Sequence, residues 1–326
     1  MERLLWNSSC LTGSVNSCTI SRNLKICFHR AHRPASIIMK TQNHLQLFSL
    51  ILSMVIFGTI GLFRKYIPLP SAVLACARGF MGSAFLLLLN RARGSSFSFK
   101  AVSGHTAGLI ISGALIGFNW ILLFEAYNYT TVAIATLCYY LQPVIVIALS
   151  PLVLRERITT KKVICILLSL LGMVLVSGIR PGDSPAGGNL YGILLGLGAA
   201  MLYASVVLMN KKIAGVPVYE KTILQLFSAS AVLVPYLAVS GSLQMYHLET
   251  GPVLALLTVG LLHTGIAYAL YFWSVERLPA QTSALFSYID PVTAVLLSAL
   301  LLHEPMTLPA AAGAVLILGS AIASER

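Results

Sequence analysis

Ten apolar stretches of membrane-spanning length alternate with short polar links along the chain. A helix needs about 20 mostly apolar residues to cross the hydrocarbon core of a bilayer. The links hold most of the charged residues, together with glycine and proline. The pattern therefore predicts ten transmembrane helices, at roughly 45–63, 71–89, 106–124, 130–150, 162–179, 190–209, 221–240, 252–272, 280–301 and 308–324.

The pattern of the first half returns in the second half. The stretch from Phe124 to Thr159 recurs without a gap as Phe272 to Thr307, so that Tyr140 falls on Tyr288 and Pro143 on Pro291. With five spans in each half, the second half would enter the membrane with the opposite polarity. The sequence predicts an all-α integral membrane protein of ten transmembrane helices in two inverted five-helix repeats, 41–180 and 181–326.

Composition points to lipid as the main solvent of the chain. Of 326 residues, 57% are hydrophobic and 10% are charged, whereas a soluble domain carries roughly 25% charged residues. The net charge of +12 resides mainly in links and the N-terminal tail, which favours a bilayer over nucleic acid as the partner. The cysteines show no metal-ligand spacing, and no nucleotide-binding or hydrolase motif occurs, so we predict no cofactor, no metal and no enzymatic activity.

The basic residues also predict an orientation. If the N-terminus is cytoplasmic, the inside links carry eleven Lys and Arg residues and the outside links carry Arg64, Lys65 and Arg180. The positive-inside rule then predicts that both termini are cytoplasmic, in the cell (inner) membrane. The eleven inside residues are Arg91, Arg93, Lys100, Arg155, Arg157, Lys161, Lys162, Lys211, Lys212, Lys221 and Arg277.

Residues 1–40 differ from the rest of the chain. They are polar, with six Lys or Arg residues and no acidic residue after Glu2. We interpret them as a disordered or non-native tail. An organelle-targeting presequence, which is also basic and poor in acidic residues, is the alternative.

The repeat resembles the EamA-like ten-helix branch of the drug/metabolite transporter superfamily over about 40–324. The similarity lies in the stretches before each proline, in Arg78-Gly79-Phe80, and in the helix ends Leu154-Arg155-Glu156 and Leu302-His303-Glu304. The resemblance implies a secondary transporter of small metabolites, foremost an amino-acid or metabolite exporter, that works by alternating access. An integral membrane lipid-modifying enzyme and a non-transporting scaffold are the alternatives, and monomer and homodimer both stay open.

Two charges lie inside predicted spans. Arg78 is a candidate anchor for a substrate carboxylate, or else a packing partner of Asp290 or of backbone carbonyls. Asp290 precedes Pro291, and Gln142 precedes the matching Pro143, where each proline frees a carbonyl one turn back. Side chains at these breaks are predicted to line a cavity or take up a proton, or else to satisfy the loosened helix.

Aromatic residues complete the predicted substrate site. Tyr140 and Tyr288 lie mid-span at equivalent positions, whereas Phe124 and Trp273 lie near span ends, where an interfacial belt is the simpler interpretation. His263 is either a packed histidine or a proton relay. Glu156 and Glu304 are predicted to serve helix-end electrostatics and loop pairing. The predicted substrate-binding residues are Arg78, Trp120, Tyr140, Gln142, His263, Tyr268, Tyr288 and Asp290.

Overall fold

The structure is a computed structural model, and the regular secondary structure of its described residues is helical. The described residues are 35–154, 159–177, 188–213, 215–242, 244, 246–275, 277–278, 283 and 286–325, and none of them lies in a strand. The chain divides into two units after His44. The described residues of Met1–His44 are helical, and the architecture below concerns Leu45–Arg326.

Helices follow one another with short connections, as the alternation of apolar stretches and links predicts. A 3₁₀ turn, Ser103–His105, joins two of them. The described α-helices are α1 (Ala35–Gly58), α2 (Ile60–Lys65), α3 (Ser71–Ala92), α4 (Phe99–Val102), α5 (Thr106–Tyr129), α6 (Val132–Tyr139), α7 (Gln142–Leu154), α8 (Thr160–Ser177), α9 (Gly188–Lys212), α10 (Val218–Val239), α11 (Thr250–Leu257), α12 (Ala267–Val275), α13 (Ile289–Leu301) and α14 (Leu308–Glu325).

Seven helical stretches in the described part of the chain are long and apolar enough to cross a membrane. They are His44–Lys65, Ser71–Ala92, Phe99–Tyr129, Val132–Val153, Asn189–Lys212, Val218–Val239 and Thr250–Val275. Seven of the ten predicted spans are confirmed in this way. The other three predicted spans contain α8, α13 and α14, and the count of ten stays a prediction.

The fourth and ninth predicted spans are interrupted just before their prolines. Helix α6 ends at Tyr139 and α7 begins at Gln142, with a turn at Tyr140 and Leu141 between them. In the ninth span a turn at Tyr288 precedes α13. Proline has no N–H to donate one turn back, but it fits the first turn of a new helix, where that N–H has no partner. Each proline therefore starts a helix and leaves a tyrosine in the break.

The eighth span contains a π-helical segment, Thr258–Ile266, between α11 and α12. In this wider turn the Thr264 hydroxyl donates to the Val259 carbonyl oxygen, five residues back, at 2.9 Å. Such segments are rare and occur frequently at functional sites. Here the segment packs against α3 and α2.

Small residues let helices of the two halves approach closely. A Cβ atom at Gly172 in α8 would lie 2.7 Å from the Gly313 carbonyl oxygen in α14, and the hydroxyls of Ser169 and Ser320 join these helices at 2.6 Å. Helices α3 and α10 pack together, and their Phe80 and Phe227 rings meet edge to face at 6.0 Å. Close backbone approach at small residues is the usual means of helix association in lipid.

Candidate functional site

Arg78 is a buried cation surrounded by neutral groups. It is 4% exposed, its Nε donates to Thr264 Oγ1 at 3.1 Å, and its Cζ lies 4.0 Å from the centre of the Trp120 ring. The Phe124 ring lies 5.3 Å away on the same cation. Cation–π contacts of a desolvated guanidinium stabilise it by about 2 kcal/mol. The site is thus built by α3, α5 and the π segment.

The ion pair between Arg78 and Asp290, which the sequence leaves open, is not formed. The Asp290 carboxylate instead accepts a hydrogen bond from the Tyr140 hydroxyl, which the break between α6 and α7 presents. Among the described residues, the ion pair within 4 Å joins Lys65 and Glu304. Among the described residues, each of the two intramembrane charges therefore has neutral hydrogen-bond and ring partners.

Several tyrosines lie near both charges. Tyr127, Tyr139 and Tyr268 are close enough to interact electrostatically with Arg78 and also with Asp290. Together with Tyr140 and Tyr203, which lie near Asp290, they are called the tyrosine cluster below. The Tyr139 ring lies 5.7 Å from the rings of both Tyr140 and Tyr203. The cluster draws on α5, α6, α9 and α12, so both halves of the chain contribute to it.

Three members of the cluster, Tyr127, Tyr139 and Tyr203, are absent from the predicted substrate-binding residues. The repeat holds the signal for Tyr203, because the stretch Phe57 to Lys65 resembles Tyr203 to Lys211. Phe57 itself contacts the Tyr268 ring at 5.2 Å. Equivalent positions of the two halves therefore both reach this site.

His263 lies in the π segment, next to Thr264, and is fully buried. Its Nε2 is 2.8 Å from Thr59 Oγ1, and its Nδ1 is 3.1 Å from the Thr258 carbonyl oxygen. The centre of the Phe63 ring lies 5.1 Å from the centre of the imidazole ring, in an edge-to-face contact. His263 is thus held by groups of the first and eighth spans.

The remaining predicted residues lie at the helix breaks. Gln142 begins α7 and is half-buried, and Tyr288 is buried immediately before α13. Of the eight predicted residues, Tyr140 and Tyr268 belong to the tyrosine cluster, and Arg78, Trp120 and Asp290 lie close to it. The other three are close in sequence to residues of this site: Gln142 to Tyr140, Tyr288 to Asp290, and His263 to Thr264.

The sequence profile of the EamA-like transporter family matches the chain twice, over residues 44–178 and 190–324. The chain belongs to the EamA-like transporter family. Arg78 and Tyr140 lie in the first matched copy, and Tyr268 and Asp290 lie in the second.

Two of the following three relatives of this EamA-like protein are named as transporters. An uncharacterized transporter of Bacillus subtilis, YxxF, is 30% identical over 80% of this chain and 83% of its own length. An uncharacterized transporter of Archaeoglobus fulgidus is 26% identical over 85% of this chain and 95% of its own length. The protein RarD of Escherichia coli is 28% identical over 58% of this chain and 62% of its own length. The chain is a multi-pass membrane transporter.

A solved crystal structure has the same fold. It aligns with a TM-score of 0.61 over 87% of this chain and 96% of that chain, at 21% sequence identity. At this identity the similarity concerns the fold of the EamA-like protein alone.

The interfacial interpretation of Phe124 is wrong. Phe124 is fully buried and lies against the Arg78 guanidinium. The reason is that α5 continues to Tyr129, so Phe124 is not at a span end. Trp273 is half-buried in α12, and the Arg277 guanidinium lies 5.4 Å from its ring.

Glu304 acts at a helix end, as the sequence predicts. Its Oε2 accepts the backbone N–H of Val132, the first residue of α6, at 2.8 Å, and it bonds the Ser298 hydroxyl. Its Oε1 lies 3.5 Å from Lys65 Nζ. A carboxylate at a helix N-terminus accepts from an otherwise unpaired N–H, and its negative charge interacts favourably with the positive end of the helix dipole. The equivalent Glu156 lies outside the described residues.

Proposed function

We propose that this protein is a secondary transporter that exports an amino acid or a related small metabolite by alternating access. The observation that carries the proposal is Arg78, a buried guanidinium with no carboxylate within ion-pair distance among the described residues. A guanidinium binds a carboxylate through two parallel hydrogen bonds. A substrate carboxylate would supply the negative charge that the site lacks.

Asp290 provides the complementary charge for a substrate amine. The tyrosine cluster lies near both Arg78 and Asp290, so one small molecule with a carboxylate and an ammonium group could engage both. Tyrosine rings combine apolar faces with hydroxyl groups, which suits an amphipathic ligand. This arrangement favours a zwitterionic amino acid over a neutral sugar or a purely cationic drug.

Alternating access is proposed from the relation between the two halves. Three observations support two inverted five-helix repeats, 41–180 and 181–326. The family profile matches the chain twice, and the fourth and ninth spans break at Tyr140 and Tyr288. In addition, two helices of the first half, α3 and α8, pack against their counterparts in the second half, α10 and α14. In folds built from inverted repeats, the substrate site lies at the midplane between the repeats, which rock around it.

We also propose that both termini are cytoplasmic, as the positive charges of the links predict. The Lys65–Glu304 pair joins the links that follow the first and ninth spans at one end of the bundle. The Arg93 guanidinium donates to the Tyr219 hydroxyl at 2.8 Å, which joins the end of the second span to the start of the seventh. Both pairings agree with a ten-span topology. Reporter fusions at Ser184 and Lys211 should report the outside and the inside, and the same side for both would contradict the topology.

Transport of a matched set of compounds tests the function. The full chain would be reconstituted in liposomes and given labelled amino acids, the corresponding decarboxylated amines, and the corresponding acids without an amino group. We expect exchange of the amino acids only, because Arg78 and Asp290 each need a partner. Empty liposomes are the control. Equal transport of the amines and their parent amino acids, or transport of none of the compounds, would contradict the proposal.

A further inference from the structure

His263 lies between two oxygen atoms whose hydrogen-bonding roles are restricted. Its Nδ1 is 3.1 Å from the Thr258 carbonyl oxygen, and a carbonyl oxygen only accepts hydrogen bonds. Nδ1 can form a hydrogen bond with this oxygen only when it carries a proton. Its Nε2 is 2.8 Å from the Thr59 hydroxyl oxygen, so the role of Nε2 depends on what Thr59 does with its single proton.

The Thr59 hydroxyl has a second contact that competes for the same proton, with a carbonyl oxygen that also accepts the Thr59 backbone N–H at 3.1 Å. Thr59 Oγ1 lies 2.7 Å from the Ile56 carbonyl oxygen, which also only accepts. When the imidazole is neutral, Nε2 is an acceptor as well, and the hydroxyl proton can serve Nε2 or Ile56 but not both. When Nε2 is protonated, it donates to Thr59, Thr59 donates to Ile56, and Nδ1 donates to Thr258. All three contacts are then hydrogen bonds.

We propose that His263 is a proton-binding site of this protein and that the Thr59 hydroxyl senses its state. One proton adds to Nε2, and the hydroxyl proton of Thr59 turns from Nε2 to the Ile56 carbonyl oxygen. No other bond needs to change. The protonated state ties the π segment to Thr59, which lies between α1 and α2.

Burial is the main influence that disfavours a charge on His263, and Arg78 is the charged group that acts on it from a neighbouring element. The titratable residues on the elements packed against the π segment are Cys76, Arg78 and Arg91 on α3, Arg64 and Lys65 on α2, and Tyr268 and Tyr271 on α12, whereas α11 has none. Of the α2 residues, Lys65 pairs with Glu304, and Arg64 donates to the Ile67 carbonyl oxygen and to Ser71.

The positive charge of Arg78 disfavours a second positive charge on His263. If a substrate carboxylate binds Arg78, it offsets that charge, so the proton and the anionic group should strengthen each other's binding. This coupling rests on the transport function proposed above, whereas the proton site itself does not. Thr264 links the two groups physically, since it accepts from Arg78 Nε and directly follows His263.

Nitrogen NMR of the histidine rings tests the site without any transport assay. The full chain, labelled with ¹⁵N in its imidazoles, would be placed in lipid nanodiscs and titrated from about pH 3.5 to about pH 8.5, a range that extends well below the ordinary titration of histidine because His263 is fully buried. A His263→Gln variant assigns the signals. We expect His263 to pass from the neutral form with its proton on Nδ1 to the imidazolium in this range.

Variants of Thr59 then identify the sensing group. Thr59→Val removes the hydroxyl acceptor at similar volume and should lower proton affinity about tenfold, a shift of about one pH unit in the midpoint. Thr59→Ser keeps a hydroxyl and should restore the midpoint. Thr258→Val is the matched control, because His263 contacts only the backbone carbonyl of Thr258. A His263 that stays neutral throughout, or equal midpoints in the wild type and Thr59→Val, would overturn the proposal. The wild-type titration decides even if Thr59→Val fails to fold.

Discussion

The two halves of the chain differ at the positions where a charge lies inside the membrane. Asp290 in the second half corresponds to Gln142 in the first, and Arg78 in the first half corresponds by the repeat to Gln225 in the second. The Gln225 amide nitrogen donates to Ser112 Oγ at 2.7 Å and to Asn210 Oδ1 at 2.9 Å. Arg78 makes one such bond, to Thr264, and otherwise lies on aromatic rings. Each charge thus has a glutamine as its counterpart.

This difference separates what the fold needs from what function adds. A charged residue at the centre of a span costs about 2.5–3.5 kcal/mol on insertion scales. If packing alone required a polar side chain at these positions, glutamine would suffice, as it does in the opposite half. Arg78 and Asp290 are therefore best explained by the ligand binding that is proposed above.

The largest effect is expected from removing Arg78. Arg78→Ala should reduce transport at least about 100-fold, because two hydrogen bonds to a charged group are worth about 1.5–3 kcal/mol each. Arg78→Lys keeps the charge but loses the planar fork, so we expect an intermediate loss. Initial rates of uptake into liposomes, normalised to inserted protein, give the comparison.

Gln225→Ala is the matched control for Arg78→Ala. It should leave transport within a few-fold of wild type but lower the free energy of unfolding by about 1–3 kcal/mol, because Ser112 and Asn210 lose a donor in a buried place. Thermal unfolding in detergent measures this. Wild-type transport by Arg78→Ala would contradict the anchor role. An Arg78→Ala protein that unfolds while Gln225→Ala stays intact would instead show that Arg78 serves packing.

A smaller and more selective effect is expected at Asp290. Asp290→Asn removes the negative charge but keeps an oxygen that can accept from Tyr140. The KM for a zwitterionic substrate should rise about tenfold, which corresponds to about 1.4 kcal/mol. Gln142→Ala, at the equivalent position, should leave the KM unchanged. Equal effects of the two substitutions on the KM would show that the break, rather than the charge, matters at this position.

The sequence predicts the spans and the helix breaks, but not the π segment or the tyrosine cluster, and the difference has physical reasons. Hydropathy and the 148-residue repeat predict the spans and the breaks at Tyr140 and Tyr288, because lipid imposes length and proline imposes a break. Hydropathy gives no sign of the π segment at Thr258–Ile266, since an apolar span has no polar face to mark its period. The direction of side chains such as Tyr127, and hence the tyrosine cluster, follows from helix packing. The same cause explains Phe124, whose burial depends on where α5 ends.

The smallest effect is expected at the helix end that joins Lys65 and Glu304. The Lys65 side chain is 37% exposed, so its ion pair is screened by solvent, and Lys65→Met should change the free energy of unfolding by less than about 1 kcal/mol. Glu304→Ala should cost more, about 1–2 kcal/mol, because the Val132 N–H and the Ser298 hydroxyl also lose their acceptor. Glu304→Gln keeps an acceptor for Val132 and should fall between the two. Thermal unfolding of the three variants gives the order, and a larger loss for Lys65→Met than for Glu304→Ala would mean that the ion pair, rather than the helix cap, stabilises this end.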